Sequence, residues 1–80
     1  SGGEKGAAWT TATGHAVGLG IIAADPKTFP YHSRMFIQSY GMGQVEDTGG
    51  MKGNVIDVWF PSYADCVSWG RRNVTVWLLD

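Results

Sequence analysis

The chain has 80 residues, enough for one domain but with a small core relative to its surface. An apolar fraction of 44%, with four Trp, three Tyr and three Phe, favours a folded core over disorder. The net charge is −1 without a basic run, so composition indicates neither nucleic acid nor an anionic membrane as a partner. Cys66 cannot form an internal disulfide, no Cys/His spacing suggests zinc, and no apolar run reaches the about 20 residues that span a bilayer.

Strand-forming segments alternate with glycine and proline along the chain. Residues 1–6 are Gly-rich and polar and are expected to form a flexible end, which leaves residues 7–80 as a single domain. The threonines of residues 7–13 predict a first strand. The apolar run 20–24 predicts a second strand buried on both faces. It should stop at Asp25, because the proline that follows removes a donor and restricts the residue before it.

Three further strands are predicted in the middle and at the end of the chain. Residues 34–40 predict a third strand, which the glycines of residues 41–43 should break before residues 44–47 resume it briefly. After a glycine turn, residues 55–60 predict the next strand. Residues 73–79 predict a last strand that is buried on both sides or lies against a partner.

One short helix is predicted near residues 62–69, between the last two strands. Ser62, followed three residues later by an aspartate, has the pattern of a capping box, and Gly70 is a typical stop. Ala64 and Val67 should face inward, and packing must hold so short a helix. Five or six short strands, glycine punctuation and one late helix indicate an all-β fold, a small barrel.

The stretch from Glu46 to Phe60 concentrates acids and glycines. Its Asp47-Thr48-Gly49 has the sequence of an aspartic protease loop, in which two carboxylates from facing loops share a proton. A chain of this length could supply one loop per subunit of a dimer. Two observations oppose a protease. Glu46 stands where a protease keeps apolar residues, and the C-terminal half lacks the apolar-apolar-glycine segment that supports such a loop.

A second resemblance covers most of the chain. It is carried, in this order, by Thr11-Ala12-Thr13-Gly14, Gly20–Pro26, Glu46–Gly50, Lys52-Gly53-Asn54, Ile56–Ser62 and Trp69–Arg72. These segments resemble the 3D domain, named for three aspartates, of bacterial cell-wall proteins related to stationary-phase survival proteins. They also resemble the catalytic barrel of MltA-type lytic transglycosylases. The resemblance implies a six-stranded double-psi β-barrel that cleaves the β-1,4 bond between N-acetylmuramic acid and N-acetylglucosamine in peptidoglycan.

The same resemblance assigns the site residues. Its three aspartates fall on Asp25, Asp47 and Asp57, with Asp57 as the catalytic acid and the other two shaping and orienting the site. The candidate substrate contacts all lie in the glycine turn: Thr48, Gly49, Gly50 and Lys52. Ordinary turn roles fit some of these residues as well. Asp-Pro is itself a turn signal, Asp47 before Gly-Gly fits an Asx turn, and Lys52 fits a solvated turn residue.

The setting of Asp57 agrees with an acid role on physical grounds. A lytic transglycosylase needs one protonated carboxylic acid, which donates to the leaving oxygen and then accepts the proton of the muramoyl 6-hydroxyl. Apolar surroundings or a neighbouring carboxylate favour the protonated form of such an acid. Asp57 has the most apolar sequence context of any acid in the chain, and the glycine turn is expected to bring Asp47 back towards it.

The chain departs from the family pattern at two places. Only Met51 separates the double glycine from Lys52, one residue fewer than usual. Only ten residues precede Thr11, where the family barrel begins with a strand and a long loop. An incomplete barrel leaves an edge that invites pairing, so a homodimer formed by strand exchange is an expectation.

The sequence therefore predicts a lytic transglycosylase that acts on peptidoglycan glycan strands, with no metal and no cofactor. We expect an extracellular, cell-wall location, although no export signal is present in this segment, and no membrane insertion of the segment itself. The alternative is a non-catalytic glycan-binding module on the same barrel, because a fold does not determine a function. His15 and His32 lie in polar connections and receive no role.

Overall fold

The computed structural model describes residues 11–14 and 18–79. These residues form the following elements: β1 (Ile21–Ala24), β2 (Arg34–Ile37), β3 (Gly41–Asp47), β4 (Ile56–Val58), α1 (Tyr63–Trp69) and β5 (Val76–Leu79). The flexible end predicted for residues 1–6 and most of the first predicted strand, together with His15, lie outside the described residues. The rest of that predicted strand, residues 11–13, is not a strand, and residues 12–14 form a turn and bend.

The strands form one sheet in the order β4-β1-β3-β2-β5. β1 and β3 are parallel, and the other three neighbouring pairs are antiparallel. The all-β prediction is confirmed, and so is the one short helix. The described residues nevertheless contain five strands rather than six, and their sheet is open. β4 and β5 are its two edges and do not pair with each other, so a barrel is not formed within these residues.

One face of the sheet carries the core. Alternate residues of β1, β2 and β3 point to this face, and each is completely buried: Ile22, Ala24, Met35, Ile37 and Val45. The alternation follows from the two-residue period of a strand. The opposite face of β1 is only half-buried, so the prediction that β1 is buried on both faces was wrong.

β2 and β3 form a hairpin that begins before the expected glycine break. The chain turns over residues 38–40, where Ser39 has a φ of 67°, and β3 starts at Gly41. Gly43 therefore lies inside a strand opposite Met35, not in a turn. A Cβ atom at this position would come within 2.6 Å of the side chain of Ile22. The glycine serves close packing between β3 and β1 and does not break the strand.

The helix α1 lies almost free of the sheet. Its ends lie where predicted, since the Ser62 side chain accepts a hydrogen bond from the backbone N–H of Asp65 and Gly70 ends the helix. Only this half of the predicted capping box is formed, because the Asp65 carboxylate accepts no hydrogen bond within the described residues. The expected inward face is not formed, because every residue of α1 except the half-buried Trp69 is exposed. The ring of Trp69 packs against Tyr40 and Phe60, with centroid distances of 6.0 and 5.4 Å. Aromatic contacts at its last residue thus attach the helix to the turn before β3 and to the segment after β4.

β5 is an edge strand and is shorter than predicted. Among the described strands it pairs only with β2, and its residues are half-buried or exposed, so burial on both sides, the first of the two expectations, was wrong. Contact with a partner stays a prediction. Trp77 is 50% exposed and Leu78 is 62% exposed. The Trp77 ring lies 5.7 Å from that of Phe36 on the neighbouring strand, which is a favourable cross-strand aromatic pair.

Within the described residues, no helix has both the length and the apolar character that a membrane span requires.

We expect Gly43→Ala to lower the free energy of unfolding by about 1–3 kcal/mol, because the added methyl group would overlap the Ile22 side chain. Gly18→Ala is the control, since a Cβ atom there would meet nothing within 4 Å. Urea unfolding followed by tryptophan fluorescence measures both changes. Equal stability of the two variants would show that Gly43 is not required for the packing of β3 on β1.

Candidate functional site

Two of the three predicted aspartates flank one small residue of the sheet. Ala23 of β1 lies opposite Asp47 of β3 on one side and opposite Asp57 of β4 on the other. Residues directly opposite one another project from the same face, so both carboxylates stand on the outer face with only a methyl group between them. Two inter-strand spacings place their Cα atoms about 10 Å apart. The two aspartates come together through β1, not through the glycine turn.

A β-bulge sets the direction of Asp47. Ile22 pairs with Val45, but the next residue, Ala23, pairs with Asp47, so Glu46 is an extra residue in β3. With regular alternation Asp47 would share the core face with Val45. The extra residue reverses this and turns the Asp47 side chain outward, which is a common effect of bulges next to functional sites.

The Asp47 side chain is held by backbone groups from two directions. Its Oδ1 atom accepts a hydrogen bond from the N–H of Thr48 at 2.9 Å and another from the N–H of Ala12 at 3.2 Å. The bond from Thr48 comes from the next residue, so it is not the bond two residues on that the Asx turn expected at Asp47 requires. The bond from Ala12 joins a segment 35 residues away, which places the 11–14 segment at the rim of the site.

The aspartate pair lines a shallow depression of about 100 Å³. Its walls are formed by Thr11, Ile21, Ala23, Asp47, Asp57, Val58 and Trp59. Asp57 is exposed, so the apolar surroundings expected for it are not present. Alternation explains the difference. Its neighbours Ile56 and Val58 pair with the buried Ala24 and Ile22, which places them on the core face while Asp57 points away.

Asp25 has a different environment, and it does not line the depression. It follows β1 directly, and its two carboxylate oxygens accept hydrogen bonds from the backbone N–H groups of Gly53 and Lys27, each at 3.0 Å. These bonds, with a smaller effect of the positive charges of Lys52 and Lys27, lower the pKa of Asp25 below its ordinary 3.8. Asp25 therefore joins the glycine turn to the end of β1.

The predicted substrate contacts lie in the glycine turn that Asp25 holds. The N–H of Met51 donates to the carbonyl oxygen of Thr48 at 2.8 Å, and Gly49 and Gly50 both have positive φ values of 51° and 74°. Such values favour glycine at both positions. A Cβ atom at Gly49 would lie 3.5 Å from Cβ of Ala23, so the turn comes back close to the aspartate pair. Lys52 is exposed. The substrate-binding role of these residues stays a prediction.

The sequence does not predict the buried carboxylate of Glu46, whose position only argues against a protease. It is completely buried beside the bulge. Its Oε1 accepts a short hydrogen bond from the Thr13 hydroxyl, and its Oε2 accepts one from Nε2 of Gln44 at 2.5 Å and lies 3.0 Å from Nδ1 of His32. His32, which received no role, is thus a partner of Glu46. The available signal in the sequence was the position of Glu46 between Val45 and Asp47. Only the bulge in the structure shows that its side chain is buried.

Within the described residues, no group of three or more His, Cys, Asp or Glu side chains could hold a metal ion.

Comparison with known proteins confirms the family that the sequence resembles. Residues 20–80 match the model of the 3D domain family. Over 61 residues the chain is 43% identical to the Cell wall-binding protein YocH and 38% identical to the Putative cell wall shaping protein YabE, both of Bacillus subtilis (strain 168). Each alignment covers 75% of this chain but only 21% and 15% of the two relatives. The chain thus spans about a fifth or less of the relatives' length.

We expect Glu46→Ala to reduce the free energy of unfolding by about 1–3 kcal/mol, because the polar groups around a buried carboxylate lose their acceptor. Glu46→Gln keeps one acceptor oxygen, so its free energy of unfolding should lie between those of Glu46→Ala and the wild type. Chemical denaturation of the three proteins measures the order. An unchanged stability of Glu46→Ala would contradict a structural role for Glu46 at the bulge.

The lowered pKa of Asp25 predicts a pH dependence of stability. Because the folded-state value lies below the unfolded value of about 3.9, Asp25 stabilises the fold above that pH and the effect disappears as pH falls through the folded value. Asp25→Asn should be less stable than the wild type at neutral pH, and the difference should narrow below about pH 4. Thermal unfolding between neutral and acidic pH measures this difference.

Asp65→Asn is the matched control for that titration, since within the described chain the carboxylate of Asp65 accepts no hydrogen bond. A wild type and an Asp25→Asn variant that differ by the same amount at every pH would contradict the assigned role.

Proposed function

The chain belongs to the 3D domain family, and we propose that it is a peptidoglycan lytic transglycosylase with Asp57 as its acid and base. The observation that carries this proposal is the pair of carboxylates on either side of Ala23, on the open face of the sheet. The names of the two relatives, a cell wall-binding and a putative cell wall shaping protein, support a cell-wall glycan as the substrate class. The proposed location is accordingly the cell wall.

The proposed reaction needs one group that first donates and then accepts a proton. Protonated Asp57 donates to the oxygen of the β-1,4 bond between N-acetylmuramic acid and N-acetylglucosamine as the bond to C1 breaks. The Asp57 carboxylate then accepts the proton of the muramoyl 6-hydroxyl while that oxygen bonds to C1. The products are a 1,6-anhydromuramoyl end and a new N-acetylglucosamine end. No water is consumed, and Asp57 returns to its protonated form.

Asp47 and Asp25 have supporting roles in this proposal. Asp47 stands across Ala23 with its Oδ1 fixed by two backbone N–H groups, so its position relative to Asp57 is set before substrate binds. A carboxylate at this site stabilises the positive charge that develops on the sugar in an oxocarbenium-like transition state. Asp25 acts through the glycine turn and holds it beside β1.

The first test is digestion of purified sacculi followed by mass spectrometry. We expect the wild type to release 1,6-anhydromuropeptides and Asp57→Asn to release them about 10²–10⁴-fold more slowly, because the amide can neither donate nor accept the required proton. Asp65→Asn, on the exposed helix, is the matched control and should keep full activity. Full activity of Asp57→Asn would show that another group is the acid.

A binding role without catalysis is the second candidate, and the exposure of Asp57 is the observation that favours it. An exposed side chain lacks the water-excluding surroundings that a proton-donating acid needs, whereas glycan binding does not require them. The same experiment separates the candidates. If the chain is a binding module, the wild type should release no anhydro product. Both the wild type and Asp57→Asn should then still sediment with sacculi.

A further inference from the structure

A second and larger concavity adjoins the aspartate pair. A groove of about 540 Å³ lies between residues 54–58 on one side and residues 69–74 on the other. This volume falls within the about 300–1,000 Å³ that is usual for small-molecule sites. Asp57 and Val58 line both the groove and the depression, so the two cavities adjoin each other at β4.

The charges in this groove are unlike those of the whole chain. The chain has a net charge of −1, whereas the residues that line the groove include two cations, Arg71 and Arg72, and one acid, Asp57. The groove therefore combines a positive wall with the carboxylate at its junction with the depression. A ligand that fits these charges carries its negative group away from Asp57 and towards the arginines.

The two arginines have different surroundings. Nε of Arg72 donates to the carbonyl oxygen of Trp69 at 3.0 Å, Nη2 donates to that of Ser68 at 3.4 Å, and the guanidinium lies 4.2 Å from the centre of the Trp69 ring. Arg72 thus caps the end of α1, as basic residues at helix C-termini do. Arg71 is exposed and makes no hydrogen bond or ion pair within the described chain. All its donors are available to a ligand.

We propose that Arg71 binds the carboxylate-bearing branch of a muramoyl unit in this groove. The inference rests on the substrate class of the proposed function. N-acetylglucosamine is neutral, whereas N-acetylmuramic acid carries a lactyl group that ends either in a carboxylate or in a peptide with its own carboxylates. Guanidinium binds carboxylate with two parallel hydrogen bonds. The branch and the anomeric carbon belong to one sugar ring, so a groove that shares Asp57 and Val58 with the depression suits both.

The test uses ligands that the proposed reaction cannot cleave. The disaccharide N-acetylglucosaminyl-N-acetylmuramic acid, with and without its peptide, lacks the bond from the muramoyl C1 to the next sugar. N,N′-Diacetylchitobiose, called chitobiose below, is the neutral disaccharide of the same length. Isothermal titration calorimetry with the wild-type chain should give tighter binding of the two muramoyl ligands than of chitobiose. Comparison of the two muramoyl ligands tells whether the lactyl or the peptide carboxylate is bound.

The variant Arg71→Gln should bind the muramoyl ligands about tenfold more weakly, which corresponds to the lower end of the free energy of a hydrogen bond to a charged group. Its affinity for chitobiose should be unchanged. Lys27→Gln is the matched control, because it removes one exposed positive charge outside the groove and should leave all three affinities unchanged. Equal wild-type affinity for the three ligands, or an equal loss on all three in Arg71→Gln, would overturn the inference.

These results are independent of catalysis. If sacculi yield no anhydro products but Arg71→Gln still loses muramoyl affinity selectively, the enzymatic proposal fails and the carboxylate site stands. If anhydro products form but the wild type binds the muramoyl ligands no more tightly than chitobiose, the enzymatic proposal stands and the carboxylate site fails.

Discussion

The arrangement of this protein depends on the pairing of β1 with β3 and on its one-residue shift. Among the described strands, β1 lies between β3, which carries Asp47, and β4, which carries Asp57. Parallel pairing with β3 and antiparallel pairing with β4 place both aspartates opposite Ala23. The shift between Ile22 and Ala23 then decides on which face Asp47 lies. Without it, Asp47 would point into the core and Asp57 would stand alone on the outer face.

The one-residue shift in the pairing of β1 with β3 makes folding less favourable, and the hydrogen bonds around Glu46 offset this. The extra residue interrupts the ladder and leaves backbone groups to be satisfied elsewhere. The backbone N–H of Thr13 donates to the carbonyl oxygen of Glu46 at 3.2 Å, while the Thr13 hydroxyl donates to the Glu46 carboxylate. Burying the Glu46 side chain without partners would itself cost several kcal/mol, so its bonds to Thr13, Gln44 and His32 are a condition for the bulge. The same segment donates to Asp47 through Ala12, which couples bulge stability to site geometry.

Much of the fold followed from sequence pattern, and the exceptions have physical reasons. Segments with strong β-forming runs, such as residues 21–24, and the capped helix after Ser62 were predicted because their signals are local. Gly43 was misread as a break, because a glycine chosen for close packing and a glycine chosen for a turn look the same in sequence. The exposure of Trp77 and Leu78 was missed because position at a sheet edge is a tertiary property.

The site was predicted less completely than the fold. The sequence pattern predicted all three aspartates. Only the structure shows that Asp47 and Asp57 form a pair beside Ala23, whereas Asp25 holds the glycine turn. Glu46 and His32 could not be assigned, because nothing local distinguishes an extra residue in a bulge from an ordinary strand residue. Register and bulges arise from pairing between segments far apart in the chain, and a single sequence does not encode that pairing in a readable form.

The exposure of Asp57 changes how its acidity must arise in the proposed enzyme. Alternation points Ile56 and Val58 towards the core, so the apolar strand around Asp57 cannot remove water from it. The depression does offer apolar walls, including Ile21, Ala23 and Trp59, against which a sugar ring can pack. Desolvation of the acid then comes from the substrate itself, and it is strongest for a glycan that covers the whole depression. A muramoyl branch anchored in the adjoining groove would hold the ring in that covering position, which would make recognition of the branch a condition for protonation of the leaving oxygen.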